Sequence, residues 1–140
     1  MKIKLAKSEI IHFIGIGGIG MSGLSLIMKS KGFKVQGSDI ASNKNIERLK
    51  KDKIKITIGH KKQNINKATI VVVSSAIKKN NPELIEANKK QLPIYKRGEM
   101  LANIVSLTKN IVVVGSHGKT TTTSLIASIF QETKIDPTII

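Results

Sequence analysis

The stretch IIHFIGIGGIGMSGLSLIMKSKGFKVQGSD, residues 10–39, decides the fold. Residues 10–15 are a short apolar run ending in glycine, and behind it Met21, Leu24, Ile27 and Met28 recur at the spacing of one helix face. Gly32 stops that helix, and FKVQGSD supplies a second short strand whose far end carries Ser38 and Asp39. Strand, glycine turn, helix and strand in this order form the repeating unit of a parallel α/β sheet with right-handed crossovers. The turn is Gly15-x-Gly17-x-x-Gly20, and Asp39 lies 19 residues beyond Gly20. The first glycine permits a tight turn, the second lets backbone approach a diphosphate, and the third lets the helix pack close to the strand. Free amides at the helix start then face the anion. A nicotinamide dinucleotide and a nucleoside diphosphate both satisfy this pattern.

Outward from that unit the same alternation continues. Ser42 or Asn43 is placed to cap a helix running to about Lys51, with Ile46 and Leu49 on its buried side. KIKITIG, residues 53–59, alternates Ile54, Ile56 and Ile58 against Lys53, Lys55 and Thr57, as an edge strand with one wet face should. It ends at Gly59 and His60. TIVVVSS, residues 69–75, reads as a fully buried central strand closing on Ser74 and Ser75. Pro82 opens a further helix, LPIYK is a short strand, and RGEMLANIVSL turns Met100, Leu101, Ile104 and Val105 inward. Met21, Met28 and Met100 are core residues on this reading.

The pattern restarts at residue 109. KNIVVV, residues 109–114, is expected as another buried strand, GSHGKT as a second glycine turn, residues 121–134 as a helix, and DPTII as the opening of one more strand. The organisation predicted is a complete domain over residues 1–107 and, over 108–140, the truncated start of a second. Within the second turn, Gly115, Ser116, His117 and Gly118 expose amides to phosphate, Lys119 supplies a compact cation for β and γ phosphates, and the Thr120 hydroxyl is placed for Mg2+. The turn is a variant of the usual phosphate loop, since Val113 stands where a glycine is standard.

Composition narrows the alternatives. The 140 residues hold no cysteine, which excludes disulfides, thiolate metal sites and a cysteine nucleophile, and which fits the cytoplasm. A net charge of +15 suggests a polyanion partner, yet only Arg48 and Arg97 among 24 basic residues are arginine, and aromatics are 3%. Nucleic-acid readers rely on arginine and stacking aromatics, so the lysines read as a solvated surface and no nucleic acid is expected. The charged segment 1–9 and the glycine-broken run behind it suit neither a signal peptide nor a spanning helix, so no membrane partner is expected.

Set side by side, the two turns carry a family resemblance. HFIGIGGIGMSGLS at 12–25, GSD at 37–39, GH at 59–60, VVVSSAI at 71–77, KRGEML at 96–101 and VVVGSHGKTTTTSLIA at 112–127 together resemble the Mur ligases. The glycine turn in its GIGGIGM form is more like the alanine-adding members than the muropeptide-recycling ones. The resemblance implies a Rossmann-like UDP-sugar-binding domain followed by the start of an ATP-binding domain. It implies UDP-N-acetylmuramate, L-alanine and ATP with Mg2+ as partners, and an acyl phosphate attacked by the alanine amine. By the same resemblance Gly15, Gly17, Gly18, Ile19 and Gly20 cradle the diphosphate and Ser38 and Asp39 lie beside the uridine. Residues 115–121, with Thr121 last, hold ATP, and Lys119 and Thr120 serve phosphoryl transfer, Thr120 through the metal.

Four further residues stay open. His60 is placed either to touch uridine or diphosphate or to sit in a surface turn, and Ser74 and Ser75 either to meet substrate or to cap a helix. Arg97 pairs with phosphate or with Glu99.

Overall fold

The computed structural model describes residues 5–107, 109–133, 135 and 137–139. They divide into two compact units, Met1–Leu107 and Thr108–Ile140.

In the first unit the elements run β1 (Ile10–Ile14), α1 (Ile19–Ser30), β2 (Lys34–Asp39), α2 (Lys44–Lys51), β3 (Lys55–Ile58), a 3-10 turn (Lys62–Ile65), β4 (Ile70–Val73), α3 (Pro82–Lys89), β5 (Ile94–Lys96) and α4 (Arg97–Ser106). The strands pair in parallel in the order β3-β2-β1-β4-β5. The α/β parallel sheet read from the sequence is therefore the fold observed, with KIKITIG at an edge and the 70–73 strand inside it. The pleat sends Ile11 and Phe13 to one face, where they meet Met21, Leu24 and Met28 of α1, Leu49 of α2, and Met100 and Ile104 of α4. It sends Ile14 and Val71 to the other, against Ile65 and against Ala87 of α3. The three methionines expected in the core are all buried.

Local signals set the helix starts. Asn43, rather than Ser42, caps α2, its side-chain oxygen accepting from the Ile46 amide at 3.0 Å. Asn81 caps α3 and accepts from the amides of Glu83 and Leu84, with Pro82 in the first turn.

Because every strand is parallel, all five carboxyl ends lie along one edge of the sheet. Chain order reverses there: β1, β2 and β3 run to one side, and β4 and β5 to the other, so the crevice at the switch opens between β1 and β4.

The second unit contains α5 (Lys119–Glu132), entered through Gly118 in the left-handed region at φ 74°. Here the sequence expectation fails. Residues 109–114 form no strand, and Ile111, Val112 and Val114 are 60%, 69% and 83% exposed. A strand exists by pairing, and among the described residues no neighbouring segment of this unit offers 109–114 a ladder. Of the strand expected at 136–140, residues 137–139 likewise form no strand, while 136 and 140 lie outside the described residues, as does Lys134 at the expected helix end. Among the described residues no helix is long and apolar enough to cross a membrane.

Candidate nucleotide-binding site

The glycine turn leaves β1 at the switch point and is pinned from several directions. Ser38 at the end of β2 accepts, through its carbonyl, from the amides of both Gly15 and Ile16 at 2.9 and 3.0 Å. Gly17 donates its amide to the Asp39 carboxylate at 2.8 Å, and its carbonyl accepts from Asn45 at 2.8 Å and Asn43 at 3.3 Å. The other oxygen of Asp39 takes the Ile40 amide at 2.8 Å. Both carboxylate oxygens thus serve the backbone, and Asp39 braces the glycine turn.

Two glycines are required by geometry. Gly15 has φ 81°, and a Cβ there would lie 3.2 Å from that of Ser74. At Gly17 a Cβ would come within 2.8 Å of the Asn43 amide and 2.9 Å of the Asp39 carboxylate. The expected close approach at the second glycine is therefore taken up by the side chains that lock the turn.

Helix α1 begins without a cap. Gly18 has no side chain to offer, and no acid sits in the first turn, so the leading amides keep the donors that an anion would accept. The third glycine of the pattern makes room for a side chain. A Cβ on Gly20 would stand 2.8 Å from Arg97 Nη1, so the guanidinium at the head of α4 lies against the opening turn of α1. Glu99 is occupied elsewhere, accepting from the Lys96 amide at 2.7 Å, and among the described residues Arg97 makes no ion pair with it. Ile19 is 89% exposed beside these amides, Ser74 continues the ladder by donating to the Ile14 carbonyl, and Ser75 is exposed.

Ser38 and His60 are placed differently from the expectation. The Ser38 hydroxyl is buried and donates to Glu83 at 2.5 Å, which leaves it to accept from His60 Nδ1 at 3.1 Å. The Ser38 hydroxyl and His60 Nδ1 are thus both engaged within this cluster. The pleat is the reason, since Ser38 and Asp39 point to opposite faces and only Asp39 points toward the turn. Glu83, fully buried at the head of α3, also receives His12 Nε2 at 3.1 Å, Asn64 Nδ2 and the Lys61 amide at 3.3 Å. Burial alone raises its pKa. The hydrogen bonds from His12, Ser38 and Asn64, with the charge His12 carries when protonated, outweigh burial and hold Glu83 below the ordinary 4.5.

In the second unit the loop before α5 is exposed throughout. Gly118 caps the helix with no side chain, and Lys119 folds its ammonium back onto the Gly115 carbonyl, placing a cation inside the loop. Ser116 and His117 are mutually bonded at 3.2 Å, while Lys119, Thr120, Thr123 and Ser124 line an open hollow. Uncapped amides, a loop-facing cation and an exposed threonine hydroxyl at the helix start fit a magnesium-bound polyphosphate.

The profile of the family described as "Mur ligase family, catalytic domain" matches residues 10–109. The chain belongs to the Mur ligases. Among its relatives, the UDP-N-acetylmuramate–L-alanine ligase of Pelagibacter ubique is 84% identical over 140 residues, which is all of this chain and 30% of that protein. The ligase of the same name from Azorhizobium caulinodans is 52% identical over 93% of this chain and 28% of its own length. The crystal structure of UDP-N-acetylmuramate-alanine ligase from Thermotoga maritima superposes with a TM-score of 0.81 at 33% identity, covering 90% of this chain and 30% of that one. This Mur ligase chain thus spans about 30% of the length of the curated relatives it matches. One buried residue, Glu83, escaped the sequence reading; nothing local marks it, since its partners lie in other segments.

Proposed function

We propose that this chain holds the UDP-sugar for an ATP-dependent, cytoplasmic ligase that joins L-alanine to the muramoyl carboxylate of UDP-N-acetylmuramate. Residues 1–107 are the UDP-sugar-binding domain, and 108–140 begin the central ATP-binding domain. The observation that carries the reading is the uncapped start of α1 with Arg97 laid against Gly20. A diphosphate brings two adjacent charges, and a helix N-terminus next to a planar guanidinium complements them. Gly15, Gly17, Gly18, Ile19 and Gly20 form the cradle, Asp39 fixes it from beneath, and Ser74 and Ser75 close the β4 side. Ser38 and His60 contribute from below through the buried cluster.

In the second unit, residues 115–121 hold the phosphates, with Lys119 as cation and Thr120 as the metal-facing hydroxyl. ATP with Mg2+ supplies the phosphoryl group that makes the carboxylate reactive toward an amine. The chain's own part is to orient and neutralise charge: loop amides face phosphate oxygens, and Lys119 offsets charge without proton transfer.

Calorimetric titration of the chain with UDP-N-acetylmuramate, run beside NADH and a short DNA duplex at the same salt, tests this. Selective binding of the UDP-sugar is expected. Asp39→Ala removes the acceptor for the Gly17 amide and is expected to weaken that binding about tenfold. NADH binding instead, or DNA binding alone, would refute the assignment. Gly20→Ala separates recognition from stability. Arg97 is exposed and can swing aside, and alanine suits a helix better than glycine, so the unfolding free energy should hold or rise by about 0.5 to 1 kcal/mol. UDP-sugar affinity should fall nonetheless, because Arg97 is displaced; unchanged affinity would remove Arg97 from the site.

A further inference from the structure

Glu83 lies one layer beneath the glycine turn and, buried at the head of α3, is shielded from solvent. One of its oxygens takes the Ser38 hydroxyl and His12 Nε2, and the other takes Asn64 Nδ2 and the Lys61 amide. Ser38 is the residue whose carbonyl holds the Gly15 and Ile16 amides, and Lys61 follows His60 out of β3. A single side chain therefore joins α3, β1, β2 and the segment after β3 directly under the phosphate cradle. We propose that Glu83 is a positioning residue for the diphosphate turn: by holding Ser38 it fixes the carbonyl that orders Gly15 and Ile16, without touching ligand. This rests on the turn being the UDP-sugar site, but the ordering itself is a property of the free chain.

A carboxylate fits this place. Every group facing Glu83 donates, and two of the neighbours, His12 and Asn64, are held in that role by further bonds. Gln36 Nε2 donates to His12 Nδ1 at 3.2 Å and to the Asn64 carbonyl at 3.0 Å, so His12 is left to donate through Nε2. Asn64 Nδ2 also donates to the Gly59 carbonyl at 2.9 Å, so its amide is fixed as well. Glutamine at 83 has the same shape but must turn an NH2 toward one of these donor pairs, leaving buried donors opposed. The titratable groups facing the carboxylate are His12 from β1 and His60 from the segment after β3, the latter with Nδ1 3.5 Å from the second oxygen.

The test is residue-resolved amide exchange by NMR on the whole chain, wild type against Glu83→Gln, with UDP-N-acetylmuramate titrations alongside. Exchange at Gly15 and Ile16 should quicken about tenfold in Glu83→Gln, while amides in the middle of α1 and in β4 keep their wild-type rates. Acidifying the wild type should lower the protection of the same two amides, taken against the intrinsic exchange rate at each pH, more than it does in Glu83→Gln. Should Glu83→Gln not fold, Ser38→Ala cuts the same link while leaving Glu83 its other partners, and it should quicken the same two amides. Unchanged rates at Gly15 and Ile16, or equal quickening across the sheet, would overturn the proposal. UDP-sugar affinity should fall with the local rates. If wild type binds no UDP-sugar at all, the functional assignment fails while the exchange pattern still decides the role of Glu83.

Discussion

Gly37→Ala is expected to destabilise the first unit by about 3 kcal/mol, read as an earlier denaturant midpoint with an unchanged slope. Two effects compete. Alanine loses less backbone entropy than glycine on entering a strand, a gain of about 0.5 to 1 kcal/mol. Against that, a Cβ at residue 37 would stand 2.8 Å from the Phe13 carbonyl and 2.6 and 2.9 Å from Cδ1 and Cβ of Ile16. The Ile16 methyl can rotate, but the Phe13 carbonyl belongs to β1, where Phe13 and Gly37 are register partners, and Ile16 Cβ is fixed by the turn. Relief therefore requires β1 and β2 to part or the glycine turn to lift, and either loss exceeds the gain. A variant as stable as wild type would show that the contact relaxes at no cost.

Glu83→Ala is the second large effect, expected at about 3 to 5 kcal/mol, because removing the acceptor strands the buried donors of His12 and Ser38 and the half-buried one of Asn64. The same residue sets an acid limit. Its folded pKa lies below the ordinary 4.5, so the unfolded chain takes up the proton first as pH falls. The stability Glu83 contributes is complete above about 4.5 and is lost as pH drops through the folded value. Denaturation midpoints for wild type should decline across that window, and those for Glu83→Ala should decline less. Parallel declines would place acid sensitivity elsewhere.

These two residues mark where reading the chain alone stops. Pro82 at the head of an amphipathic run, the β-branched 70–73 segment and the glycine turn with an acid 19 residues on are all local, and they appear in the structure as read. Residues 109–114 have the composition of a buried strand, yet they form none and Ile111, Val112 and Val114 lie exposed, because composition states a preference for a partner and does not provide one. Ser38 and Asp39 adjoin in sequence, and the family resemblance sets both beside the uridine; the pleat sends one into the buried cluster and the other to the glycine turn. His12 and Glu83 are 71 residues apart, and only the parallel crossovers bring them to 3.1 Å.

The sequence by itself determined the α/β alternation, the two glycine turns and the family, since each is written in patterns shorter than one supersecondary unit. Tertiary structure alone decided that Asp39 braces the turn, that Arg97 reaches Gly20, and that Glu83 anchors both Ser38 and the segment after β3. Burial and strand order assign hydrogen bonds between distant segments, and those assignments exist only once the sheet has closed.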